Sequence, residues 1–309
     1  MQEVVRKTLF SKEKVDSQVI NKHDFNYVFN PFFRCNIEEG KPPLVVILVK
    51  SAFENIKKRN AIRSTWGNVT EYRKEVRLVF LLGFSNKGKE NVTKEYEQHK
   101  DIVCEDFMDT YWNNTHKMIM GFKWSVTHCS DSKFFFFVDD DYFVNVDALL
   151  SYVRNEKEKD LFTGFLLSRS QPYRDFGGKW YVSVDDYPHN HYPPYLAGGA
   201  YITSLSVARM FDAVFPYVKY LVIDDAYLGI VAQKLNLKPK HNRKFLYIKN
   251  CGRTSKNSVI ACHGYGDEKK LISDWNLFMK SKNGKAGIKQ TTIRPTSNPH
   301  VIPAKLKRN

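Results

Sequence analysis

Three segments of this chain are apolar at almost every position: Leu44-Val45-Val46-Ile47-Leu48-Val49, Val76-Arg77-Leu78-Val79-Phe80-Leu81-Leu82-Gly83 and Phe134-Phe135-Phe136-Phe137-Val138. A strand wetted on one face alternates apolar and polar residues. Continuous β-branched and aromatic runs belong instead to strands covered on both faces. Helical spacing lies between them, over residues 54–65, over the polar stretch 89–100 and over 114–129, where Met118, Ile119, Phe122, Trp124 and Val126 mark a well-buried helix. Ile102-Val103 reads as a short strand. Strand and helix alternate, so the expected fold is α/β, a doubly wound, mostly parallel sheet. Such sheets bind ligands beyond the carboxyl ends of their strands, where the winding reverses.

The second half is less regular. It holds the aromatic stretch 180–184, a turn-rich segment 187–194, the small-residue run Ala197-Gly198-Gly199-Ala200, and helices expected over 204–214 and 225–235. Weak periodicity before residue 40 reads as an N-terminal arm, residues 41–280 as one catalytic domain, and 281–309 as an extended C-terminal tail. At 42% hydrophobic and 26% charged residues the chain is globular, and 16 glycines and 12 prolines in 309 residues, without a repeat, exclude collagen-like and low-complexity structure. The formal charge of +15 is dispersed, with no basic block or zinc-finger spacing, so no nucleic-acid partner is expected; attraction for an anionic substrate such as a nucleotide accounts for it equally. No run of eighteen apolar residues is present, so the 309 residues contain no span for a bilayer. Five cysteines without a CxxC pair make no disulfide scaffold; Cys251 and Cys262 bracket a loop that a bridge can close in an oxidising compartment, and buried free thiols fit as well. The sequons at Asn68, Asn91 and Asn113 match chance expectation for this composition.

The chemistry concentrates in acidic clusters. Asp139-Asp140-Asp141 ends the most apolar strand, where three adjacent carboxylates repel one another unless a cation neutralises them. Mg²⁺ or Mn²⁺ suits such oxygen ligands and can carry a diphosphate; a solvated acidic turn before the next helix is the plainer reading. Asp224-Asp225 opens a helix, where acidic residues stabilise the N-terminus by roughly 0.3–1 kcal/mol, and where a carboxylate can also act as general base if it shares the metal's cleft. His263 sits among small residues and serves either as a polar contact or as an imidazole ligand that favours Mn²⁺. Arg59 and Arg63, four apart on one helical face, can meet phosphates, carboxylates or water. Gly198-Gly199 permits close approach of backbone to a sugar or phosphate.

Four motifs occur in order: Arg59-x-x-Ile62-Arg63-x-Thr65-Trp66-Gly67, Val138-Asp139-Asp140-Asp141-x-Phe143-Val144-Asn145, Tyr192-Pro193-Pro194-Tyr195-x-x-Gly198-Gly199-x-Tyr201 and Asp224-Asp225-x-Tyr227-x-Gly229. Over roughly residues 44–275 the chain resembles the β-1,3-glycosyltransferase family that includes β-1,3-galactosyltransferases, β-1,3-N-acetylglucosaminyltransferases and the Fringe proteins. The resemblance implies a GT-A fold, a UDP-sugar donor, a glycan acceptor on glycoprotein or glycolipid, Mn²⁺, and inversion at the anomeric carbon, with galactose the first donor sugar expected and N-acetylglucosamine the second. It implies Asp141 and His263 as metal ligands, Asp139 and Asp140 near the ribose and donor sugar, and Asp225 as catalytic base. Arg59, Arg63, Gly198 and Gly199 are expected around the nucleotide, and Trp180, Tyr181, Tyr192 and Tyr195 as a platform for sugar rings. Where many galactosyltransferases read Glu-Asp-Val, this chain reads Asp224-Asp225-Ala226. Members of the family it resembles usually carry an N-terminal Golgi signal anchor, so the expectation is a lumenal enzyme whose anchor is missing from this sequence through truncation or an incomplete gene sequence, with secretion the lesser alternative. A metal-dependent nuclease or phosphotransferase and a non-catalytic glycan-binding protein are the alternatives from other classes.

Overall fold

A computed structural model describes residues 1–36, 41–247 and 258–289, the last seven by main chain only. The N-terminal helix α1 (Gln2–Val5) and strand β1 (Tyr27–Phe29) precede β2 (Val45–Lys50), α2 (Ile56–Arg63), β3 (Val76–Phe84), α3 (Lys89–His99) and β4 (Ile102–Met108). Then come α4 (Asn114–His128), β5 (Phe134–Asp139), β6 (Tyr142–Val144), α5 (Val146–Asn155), β7 (Phe162–Leu167) and β8 (Tyr195–Ser204). The chain continues through α6 (Leu205–Val214), α7 (Asp224–Lys234), β9 (Lys240–His241), β10 (Phe245–Leu246), β11 (Ala261–His263) and α8 (Glu268–Lys289). Each helix expected from periodicity is present with its ends shifted by one or two residues.

The main sheet runs β1-β4-β3-β2-β5-β8-β7-β9. β4, β3, β2 and β5 are parallel, as their apolar runs require. β2 and β5 are buried at nearly every position because helices cover both faces: Val45, Ile47 and Val49 enter one core, Val46 and Leu48 the other. Fully burying each such side chain contributes roughly 1.5–3 kcal/mol. The second half departs from the parallel pattern, for β8 pairs antiparallel with both β5 and β7. The chain leaves β2 towards β3 and β4 and returns on its other side as β5, so the winding reverses between β2 and β5. Lys50 and Asp139, the last residues of these two strands, stand in register at that point. A small sheet, β10-β11-β6, sits beside it and brings His263 opposite Tyr142.

The N-terminal arm is part of the fold. β1 extends the main sheet by antiparallel pairing with β4, Val4 and Val5 are buried, and Asn21 donates to Phe215 O and the Tyr227 hydroxyl at 3.2 and 3.0 Å. A Cys35–Cys129 disulfide ties the end of the arm to the end of α4, and Cys104 is a buried free thiol. Cys251 lies outside the described residues, and with it the candidate Cys251–Cys262 bridge. Residues 281–289, expected as the start of an extended tail, instead continue α8, which runs to Lys289; residues 290–309, the rest of the expected tail, lie outside the described residues. Phe278 and Leu271 of α8 are buried, which anchors that helix. No helix among the described residues is long and apolar enough to cross a membrane.

The Cys35–Cys129 bridge closes a loop of 94 residues. Replacing both cysteines with serine is expected to destabilise the chain by roughly 2–5 kcal/mol, read as a lower urea midpoint under oxidising conditions. A reducing agent should lower the wild-type midpoint by at least as much.

Candidate active site

A cleft of about 900 Å³ opens over the carboxyl ends of β2 and β5. Its floor holds Lys50, Asp139, Asp224 and Asp225, with Gly198, Gly199 and His263 at its sides. The opposite wall is the excursion between β7 and β8, including Arg169, Tyr173, Trp180, Tyr192 and Tyr195.

Lys50 organises the floor. It is only 7% exposed, yet its ammonium lies 3.1 Å from Asp139 Oδ1 and donates to Asp224 Oδ2 at 2.7 Å. Burial works against its charge, but the two carboxylates outweigh burial and hold its pKa well above the ordinary lysine value. Asp139 is pushed up to about 6, first by burial and then by Asp141 and Asp224, with Lys50 opposing.

Asp225 occupies the first turn of α7. Its Oδ1 accepts from the Ala226 N–H at 2.8 Å and its Oδ2 from the Gly198 N–H at 3.2 Å. Burial and then the neighbouring Asp224 raise it to about 7, while those two hydrogen bonds and Lys50 pull the other way. A carboxylate poised near neutrality in a cleft suits proton abstraction. A Cβ on Gly198 would lie 3.0 Å from the Asp225 Cβ, so any larger residue there would crowd the base by a few tenths of an ångström. A Cβ on Gly199 would meet the Tyr142 hydroxyl at 2.3 Å.

Asp141 and His263 meet through the β6–β11 pairing. His263 Nε2 lies 3.1 Å from Asp141 Oδ2, and the Gly264 and Tyr265 N–H groups donate to the Asp141 carbonyl. Burial pushes the Asp141 carboxyl up, but His263 and Lys58 bring it below its ordinary range. Asp141 Oδ1 is buried and has no hydrogen-bond partner among the described residues, an oxygen set up for a further ligand. No group of three His, Cys, Asp or Glu side chains that could hold a metal converges among the described residues. The donor set is therefore one carboxylate and one imidazole, which suits Mn²⁺ if its remaining ligands come from a bound diphosphate and water.

Three expected donor contacts turn out otherwise. The Asp140 carboxylate is tied back into the fold, accepting from Ser51 Oγ (2.7 Å), Asn55 Nδ2 (2.9 Å) and Lys58 Nζ (3.0 Å). Arg59 is wholly buried; it pairs with Glu95 at 2.7 Å and donates to Ser51 Oγ, Ala52 O and Phe53 O. Arg63 pairs with Glu95 and Asp101. Neither guanidinium lines the cleft, because the acidic partners on α3 and at the start of β4 are nearer than any point of it. Arg59 instead shapes the 51–53 turn that grips Asp140. On the opposite wall Trp180 is half exposed, whereas Tyr192 and Tyr195 are buried; Tyr181 lies outside the cleft lining. Lys50 and Tyr111 were not anticipated as site residues. For Lys50 a signal was present: a lone lysine ending an apolar run on a strand parallel to the one that ends in aspartates.

The Galactosyltransferase family model matches residues 57–243. The chain is 35% identical over 259 residues to "Beta-1,3-galactosyltransferase brn" of Drosophila melanogaster, covering 82% of this chain and 79% of that protein. It is 34% identical over 287 residues to "Beta-1,3-galactosyltransferase 1" of Homo sapiens, covering 91% and 86%. Among solved structures, a glycosyltransferase that modifies the major capsid of PBCV-1 superposes with a TM-score of 0.40 at 10% identity, covering 75% of this chain and 99% of that one.

Gly198→Ala is expected to shift the Asp225 side chain by a few tenths of an ångström and to lower turnover by up to about tenfold, less than the roughly 10²-fold that a 1 Å misplacement of a reacting group costs. Steady-state kinetics beside a melting curve separates this from unfolding.

Proposed function

The chain belongs to the β-1,3-galactosyltransferase family and is a glycosyltransferase; from that premise we propose that it is of the GT-A type and moves galactose from UDP-galactose to the 3-hydroxyl of an acceptor sugar on a glycan, inverting the anomeric carbon. The observation that carries this reading is that Asp139, Asp225 and His263, from three distant segments, line one cavity that opens where the sheet's winding reverses.

Asp225 accepts the proton of the acceptor hydroxyl as its oxygen attacks C1 of the donor, and the bond from C1 to the β-phosphate oxygen breaks with its electron pair leaving on UDP. The Gly198 and Ala226 N–H groups hold both oxygens of the base, so it stays aimed while it gains the proton. Asp141 and His263 are the side chains that would hold Mn²⁺, which when bound would supply positive charge against the departing diphosphate. Asp139 faces the donor, kept in place by Lys50. The partly exposed Trp180 receives the apolar face of a sugar ring. The Cys35–Cys129 disulfide supports an oxidising compartment, in keeping with a Golgi lumen.

Release of UDP from UDP-galactose, with a simple sugar acceptor, tests the reading. Asp225→Asn is expected to lower kcat by about 10²–10⁴-fold. The sign of the pH dependence follows from the raised carboxyl: the base works deprotonated, so kcat/KM should climb with pH to a plateau above about 7, the value for Asp225, and Asp225→Asn should remove that limb. EDTA should abolish release in the wild type and Mn²⁺ restore it, whereas Asp141→Ala should not recover with added Mn²⁺. Release that ignores Asp225, or that needs no acceptor, defeats the proposal.

A further inference from the structure

We propose that Tyr142, packed against Gly199, selects the sugar that enters on the nucleotide: its hydroxyl bonds the 2-hydroxyl of a hexose, and its ring denies space to a 2-acetamido group. This rests on the glycosyltransferase reading and adds to it a residue that determines donor specificity.

Tyr142 opens β6 and is buried, at 4% exposure. The β6–β11 register sets it opposite His263, and the two rings lie 5.1 Å apart. Trp66, from the first motif, donates from Nε1 to the Tyr142 carbonyl at 3.0 Å and fixes the main chain at this point. On the other side β8 pairs Ala200 with Val138, which brings Gly199 beside Asp139. The phenol lies over that glycine: a Cβ on Gly199 would come within 2.6 Å of both Cζ and Cε2 of Tyr142, so the ring occupies the space that a side chain at 199 would fill.

Tyr142 lines the same cavity as Asp139, Asp225 and His263. Among the described residues it is hydrogen-bonded through its main chain alone, which leaves the phenolic O–H for a ligand. Burial, then Asp139, Asp141 and Asp225, raises its pKa against the pull of Lys50, so it remains a neutral donor among acceptors. Held by its neighbours on both sides, it is ordered before any ligand arrives.

Its position points to the sugar atom that it meets. Close approaches run from Asp225 to Gly198, and from Gly199 through Tyr142 to His263. Asp225 serves the oxygen that attacks C1, and Asp141 with His263 marks the diphosphate carried on the same carbon. A side chain set between them faces the other two atoms bonded to C1, the ring oxygen and C2. Of these, C2 alone carries a group that differs between a plain hexose and a 2-acetamido sugar. A hydroxyl there accepts the phenol's bond. An acetamido group needs space that ring and glycine have already closed, and packed protein yields little.

Kinetics of the whole chain with Mn²⁺ and one simple acceptor would compare UDP-galactose, its 2-deoxy analogue and UDP-N-acetylgalactosamine in the wild type, Tyr142→Phe and Tyr142→Leu. The wild type should favour UDP-galactose over UDP-N-acetylgalactosamine by about a hundredfold in kcat/KM. Tyr142→Phe should lose about two- to tenfold with UDP-galactose, the effect of one neutral hydrogen bond. It should lose nothing with the 2-deoxy donor, whose partner group is already gone. Tyr142→Leu should cut the acetamido penalty at least about tenfold. Inhibition by UDP alone should be unchanged in both variants, whereas general damage to the site would weaken it. Equal losses with UDP-galactose and the 2-deoxy donor in Tyr142→Phe overturn the proposal, as does an acetamido penalty that survives Tyr142→Leu. Wild-type turnover of UDP-N-acetylgalactosamine or UDP-N-acetylglucosamine as fast as UDP-galactose overturns it too, and leaves the transferase reading standing. Tyr142→Phe keeps the ring, so it decides the matter if Tyr142→Leu does not fold. Absence of turnover with every donor speaks against the transferase reading instead. Calorimetric titration then decides: tighter wild-type binding of UDP-galactose than of the 2-deoxy donor, equalised in Tyr142→Phe, upholds the role of Tyr142, and equal binding in the wild type rejects it.

Discussion

A buried ammonium between two carboxylates is the contact on which this cleft depends. Asp139 ends one strand, Asp224 opens a helix, and both sit where burial penalises charge; without Lys50 their repulsion would bear directly on Asp225, the proposed base. Removing one partner of a buried ion cluster leaves an uncompensated charge and is strongly destabilising. Lys50 therefore joins β2, β5 and α7 at one point, and the floor of the site is set by electrostatics as much as by packing.

Behind that floor lies a second arrangement of charge that never reaches the cleft. Glu95 of α3 holds Arg59 and Arg63, Arg59 braces the 51–53 turn, and Ser51 from that turn grips Asp140. Lys117 of α4 reaches the same turn through the Ser51 carbonyl at 2.7 Å. The middle aspartate of the triplet is thus fastened to the fold, and its neighbours turn elsewhere: Asp139 towards Lys50 and the cavity, Asp141 towards His263. Three consecutive carboxylates become tolerable because each has its own partner, respectively Lys50, Lys58 and the His263 imidazole.

Much of the parallel half was legible in the chain because an apolar run buried on both faces leaves little choice of environment. The helices were legible for a related reason: one face of each packs on those strands, and periodicity records it. The antiparallel β8 was not, since its Tyr195–Ser204 segment mixes small, aromatic and hydroxyl residues and pairs on both sides. Nor did the arm declare itself, for its attachment rests on a three-residue edge strand, a few polar contacts and a bridge between cysteines 94 residues apart. Arg59 and Arg63 show the same limit at the level of side chains. Their spacing places two guanidiniums on one helical face, and it carries no information about which acid that face will meet.

The sequence by itself determined the strands buried on both faces, the acidic triplet at the end of one of them, and a family membership written in four ordered motifs. Those are local properties, settled by side-chain hydrophobicity and by spacing along the chain. Which carboxylates share the cleft, that Lys50 lies between two of them, that Arg59 turns inward, and that Tyr142 packs against Gly199 were decided by tertiary structure. The physical reason is that each is a contact between residues tens to hundreds of positions apart, and burial acts on a charge only once the distant partner and the surrounding core have closed over it.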